Sequence, residues 1–92
     1  MTEEDLNRRV VICNPKGLHA RPASKVAKLA QCYDATISVR CNGETAEADS
    51  IMDLLMLGAA PGAELFIDAY GPQATMAVDA IANLIARGFD EI

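Results

Sequence analysis

The sequence predicts an α+β fold: an open-faced two-layer β-sandwich in which a four-stranded antiparallel sheet carries three helices on one face. Three observations point there. Short stretches with an apolar residue at every second position alternate with stretches at helical spacing. The pair Asn42-Gly43 joins two of the alternating stretches as a hairpin. The elements run in the order β-α-β-β-α-β-α, which suits one sheet with its helices packed on a single face. The 92 residues are expected to form one domain, 1–92, with a modest core built mostly of aliphatic side chains and alanine.

Each element has its own signal. Arg9 to Cys13, "RVVIC", is short and β-branched, and "NPKG" (Asn14 to Gly17) breaks it with turn residues. From Pro22 onward Ala23, Val26, Ala27, Ala30 and Tyr33 share one helical face, with Lys25, Lys28 and Gln31 on others. In "ATISVRC", Ile37, Val39 and Cys41 point one way and Thr36, Ser38 and Arg40 the other. After the type I′ signal Asn42-Gly43, Ala46 and Ala48 are the inward candidates of the return strand.

"SIMDLLMLG" reads as a short helix with Ser50 as N-cap and Asp53 completing a capping-box-like pattern, ended by Gly58 or the "APG" beyond it. Glu64 to Tyr70 is a fourth strand with Leu65, Ile67 and Ala69 on one face. Gly71-Pro72 opens a last helix along Ala74, Ala77, Val78, Ile81, Leu84 and Ile85, and Gly88 stops it.

Composition excludes several function classes. A net charge of −5 argues against a general nucleic-acid binder, which needs clustered Lys and Arg. No apolar run approaches the roughly 20 residues of a membrane span. The charged start "MTEEDLNRR" leads into no signal core, so a cytoplasmic chain is expected. Three cysteines, odd in number and without a C-x-x-C pair, suit buried reduced thiols better than disulfides or a zinc site.

The chemistry concentrates in "GLHARPASKVAKLA", Gly17 to Ala30, which holds the only histidine. Pro22 belongs in a first helical turn, so the helix starts close to His19, and the free N–H groups of Ala20 and Arg21 point back toward the imidazole. Such a helix start favours anions, and the Arg21 guanidinium suits phosphate oxygens. Lys16, Arg21, Lys25 and Lys28 make the segment locally basic. A neutral imidazole there is a nucleophile toward phosphorus. On residue chemistry alone two readings stand, an anion-facing histidine and an ordinary surface residue at a helix start. Ser24 is the nearest hydroxyl, and no catalytic pair is in view.

"GLHARPA" resembles the active-site motif of the histidine-containing phosphocarrier protein HPr family of the phosphoenolpyruvate-dependent phosphotransferase system. "SIMDLLMLGAAPGAEL" resembles that family's regulatory segment, at the matching distance downstream, and the element order agrees over nearly the whole chain. The resemblance implies that His19 accepts a phosphoryl group from phospho-enzyme I, on Nδ1 in this family, and passes it to an EIIA-type domain. Arg21 then steadies the phosphoryl group, Ala20 and Arg21 offer backbone N–H groups, and Pro22 shapes the helix start.

Ser50 matches the regulatory serine that an HPr kinase/phosphorylase modifies in some bacteria. Asp49 stands where several regulated members carry a basic residue, and its charge opposes a second anion there. Ala20, Lys28, Ile51, Met52 and Leu55 are candidates for the docking face, while Leu54 and Leu57 are expected in the core. No cofactor or metal is implied, and a carrier that visits two partners in turn is expected to work as a monomer. The rival readings are a nitrogen-related carrier of the same family that controls other proteins, a binding module regulated only through Ser50, and a small hydrolase.

Overall fold

The structure, a computed structural model, describes residues 4–91, with side chains from residue 7 onward. Four strands and three helices follow in the order β1 (Glu4–Val11), α1 (Ala20–Ala30), β2 (Thr36–Cys41), β3 (Glu44–Glu47), α2 (Ile51–Met56), β4 (Glu64–Gly71) and α3 (Ala74–Ala86). A 3-10 turn, Gly88–Asp90, closes the described chain. The sheet order is β1-β4-β2-β3, antiparallel throughout, and it carries the three helices.

The period-two stretches bury the residues they promised: Ile37, Val39 and Cys41 on β2, Ala46 on β3 with Ala48 just beyond it, and Leu65, Ile67 and Ala69 on β4. Val39 pairs with Ile67 and Ala46, so one row of small and β-branched side chains crosses three strands. From the helices, Ala23, Val26, Ala27 and Ala30 of α1, Leu54 of α2, and Ala77, Val78, Ile81 and Ile85 of α3 close the core over this row. Alanine lets the helices approach the sheet closely.

Three expectations need correction. β1 is longer than "RVVIC" suggests: it starts at Glu4 and ends at Val11, leaving Ile12 and Cys13 past its end. It is an edge strand that pairs along the whole of β4, from Glu4 opposite Gly71 to Val11 opposite Glu64, and the ladder sets its length rather than its polar side chains. The buried thiols reduce to one: Cys41 is buried, and burial pushes its thiol pKa up, whereas Cys13 and Cys32 are exposed where an element ends. The Ser50 cap is one-sided. Ser50 Oγ accepts from Asp53 N at 3.2 Å, but the Asp53 carboxylate takes the Glu47 N–H, because the Ser50 N–H is already given to the Glu47 carbonyl.

Candidate functional site

The loop between β1 and α1 is held on three sides. Leu18 is buried in the core, and its N–H donates to the Ala59 carbonyl at 2.9 Å, which brings the end of α2 to the loop carrying His19. Gly17 has φ +67°, and a Cβ there would lie 2.6 Å from the same Ala59 oxygen. Asn14, fully buried, donates through Nδ2 to the Gly17 carbonyl at 2.9 Å. With its two neighbours pinned, His19 has little backbone freedom left.

His19 is the N-cap of α1, with extended backbone and no side-chain bond to the helix N–H groups. Its imidazole is thus free to face outward, and its side chain is about a third exposed, at 36%. The first intrahelical bond runs from Ala23 N to the His19 carbonyl. Ala20 and Arg21 stand in the first turn, where no preceding helical carbonyl exists, so their N–H groups have no backbone partner among the described residues, and Pro22 in the third position has no N–H to satisfy. A cleft of about 650 Å³, lined by Pro15, Lys16, His19, Ala20, Arg21 and Lys25, opens here, and Asp90 and Glu91 close its far side.

The far side was not legible as part of the site. The Glu91 carboxylate meets His19 Nε2 through both oxygens, at 3.1 and 3.2 Å, and Asn14 Nδ2 at 3.0 Å. In the sequence Asn14 reads only as a turn residue, and Glu91 carries no signal at all. Their partners lie more than seventy residues away in sequence, and no local spacing signals that. Desolvation acts to raise the Glu91 carboxyl pKa. The hydrogen bonds from His19 and Asn14, helped by the charge of Arg21, outweigh it and hold the group below the usual carboxylate range.

The other predicted residues divide. Ala20, Arg21 and Pro22 surround His19, whereas Lys28 is exposed two turns along α1 and does not line the cleft. Ser50 caps α2 outside it. On α2, Ile51, Met52 and Leu55 are exposed, and Met56 joins them as the most exposed of the four at 75%. Met56 sits one turn after Met52, so helical spacing could have found it. Leu54 and Leu57 point into the core as expected.

The charges are partitioned. Four arginines that do not line the cleft are paired: Arg8 with Asp79, Arg9 with Glu64, Arg40 with Asp68 and Arg87 with Asp90 at the cleft's far side. Lys16, Arg21, Lys25 and Lys28 have no carboxylate at ion-pair distance among the described residues, and Lys25 Nζ donates instead to the Phe89 carbonyl at 2.6 Å. Three of these four cations, Lys16, Arg21 and Lys25, line the cleft beside His19, with Asp90 and Glu91 across from them.

Fold and site together define a class: a small open-faced α+β protein with a histidine set among anion-binding donors. Residues 6–87 match the family model described as "PTS HPr component phosphorylation site", and the chain belongs to this family. Phosphocarrier protein NPr of Klebsiella oxytoca is 45% identical over 87 residues, covering 94% of this chain and 97% of the relative. Phosphocarrier protein NPr of Escherichia coli K12 is 42% identical with the same coverage. The crystal structure of HPr-C-His from Thermoanaerobacter tengcongensis superposes with a TM-score of 0.90 at 31% identity, covering 95% of this chain and 98% of that one. The protein is a phosphocarrier of the HPr type, a group that includes the nitrogen-related NPr branch.

Proposed function

We propose that one copy of this chain, acting as a single cytoplasmic domain, accepts a phosphoryl group on His19 Nδ1 from phospho-enzyme I and passes it to an EIIA-type domain. It turns over no substrate of its own: the phosphohistidine forms once and is spent once. The observation that carries this is the placement of His19 as N-cap of α1, with the Ala20 and Arg21 N–H groups beside it unpartnered among the described residues and Arg21 exposed. The two N–H groups and the guanidinium supply charge-assisted hydrogen bonds to a phosphoryl group on the ring. Pro22 keeps a third donor from forming and fixes the first turn.

Partners dock on Ala20 and on the exposed apolar strip Ile51, Met52, Leu55 and Met56, with Lys28 on the rim. Rim cations speed encounters with acidic surfaces more than they tighten them. The NPr relatives at 42–45% identity favour the nitrogen-related branch, in which the carrier's output is control rather than sugar uptake. Modification of Ser50 by an HPr kinase/phosphorylase is the subordinate part of the proposal. A phosphate there would sit at the N-terminus of α2 and place a dianion beside Ile51 and Met52, which weakens docking.

The test is intact mass after incubation with phosphoenolpyruvate, Mg²⁺ and enzyme I. One acid-labile phosphate is expected on the wild type and none on His19→Ala. Two unmodified proteins beside an active enzyme I would refute the reading. Competition between a sugar-type and a nitrogen-type EIIA for the phosphorylated chain then separates the branches.

A further inference from the structure

Among the described residues Glu91 is the one carboxylate that touches the histidine ring, and the fold goes to some trouble to put it there. The tail turns back through three successive positive φ values, Gly88 at 71°, Phe89 at 57° and Asp90 at 62°. For Phe89 and Asp90, which carry a Cβ, that conformation is sterically unfavourable. Phe89 is fully buried, Lys25 holds its carbonyl and Arg87 holds Asp90, so the curl is over-determined. Glu91 N–H donates to the Gly88 carbonyl at 3.0 Å and the side chain is delivered to the ring.

A carboxylate only accepts hydrogen bonds, so His19 Nε2 and Asn14 Nδ2 both donate to it. A neutral ring with its proton on Nε2 has its lone pair on Nδ1, and Nδ1 meets no partner among the described residues. When Nδ1 attacks phosphorus, its lone pair forms the N–P bond. The bond between phosphorus and the donor breaks, and its electron pair leaves with the donor. The Nε2 proton stays, so the ring becomes cationic within hydrogen-bond distance of a carboxylate. On discharge the N–P pair returns to Nδ1, and because Nε2 has kept its proton the ring departs as neutral imidazole instead of a far poorer imidazolate.

We propose that Glu91 is a positioning residue for phosphoryl transfer: it holds His19 in the Nε2–H tautomer and balances the positive charge that the ring acquires while Nδ1 carries the phosphoryl group. This rests on the reading of His19 as acceptor. The carboxylate does the same service in both directions, and no proton has to move.

Two variants separate the two roles. Glu91→Gln can still accept from Nε2–H but has no charge, and Glu91→Ala does neither. Ring ¹⁵N spectra of the unphosphorylated proteins are expected to show one Nε2–H tautomer for wild type and Glu91→Gln, and a mixture for Glu91→Ala. The rate constant for charging by enzyme I is expected to fall on the order of tenfold in Glu91→Gln and further in Glu91→Ala, with KM for enzyme I little changed. Circular dichroism checks that both variants fold. Wild-type rates in both variants, or a single tautomer kept in Glu91→Ala, would overturn the inference while leaving the carrier reading intact. A wild-type chain that takes no phosphoryl group sinks both.

Discussion

Gly17 bounds what the neighbours of His19 can be. Its positive φ and the 2.6 Å approach of the Ala59 oxygen to a would-be Cβ mean that even alanine must move backbone. Gly17→Ala is expected to lose about 2–4 kcal/mol of stability, read as a lower urea midpoint, and to slow charging because the loop carries His19. Arg21 is different: it is exposed and makes no ion pair among the described residues. Arg21→Ala should leave the urea midpoint unchanged within about 0.5 kcal/mol and still cut the rate of phosphoryl transfer. A large loss of stability in that variant would show that Arg21 serves the fold, contrary to its placement here. At this scale the sequence was most informative at Gly17, His19, Arg21 and Pro22, whose chemistry is local. Asn14 and Glu91 were illegible because their roles exist only after the tail has folded back on the loop.

The elements carry a second set of consequences. α2 has six residues, and one cap holds its start, so Ser50→Ala is expected to cost about 1 kcal/mol. Its exposed face is a separate matter. Met52 and Met56 are 68% and 75% exposed, and changing both to Gln should leave stability nearly intact while raising KM for enzyme I. An unchanged KM would remove α2 from the docking face. Helix and strand identities were readable wherever burial imposes a period, as on β2, β4 and α3. The first half of β1 was not, because "EDLNRR" lies on an edge strand whose length comes from pairing with β4. The final turn was hidden for a related reason. Gly88 signals a helix stop, but the burial of Phe89 is what bends the chain onward.

For the whole molecule, charge and acidity set the working conditions. Lys16, Arg21 and Lys25, which form no ion pair among the described residues, line the cleft beside His19 while the chain as a whole is at −5, so encounter with an acidic partner face should slow as salt rises. Stability should also fall in acid. The hydrogen bond from Arg9 holds the Glu64 carboxyl pKa low, that from Arg87 does the same for Asp90, and for Glu91 the bonds from His19 and Asn14 outweigh desolvation. Carboxyls depressed in the folded state stabilise it above their unfolded values and lose that contribution as pH falls through the folded ones. Tm is therefore expected to decline below about pH 4, and only modestly, because the arginine pairs are exposed. A Tm that rises on acidification would contradict the sign.

The most direct measurement is the position of the phosphorus in the charged protein, read by ³¹P and ¹⁵N NMR on chain labelled at histidine. The account predicts one phosphorus bonded to His19 Nδ1, with Nε2 still carrying a proton. Phosphorus on Nε2, the nitrogen that faces Glu91, or on the Ser50 hydroxyl would contradict it.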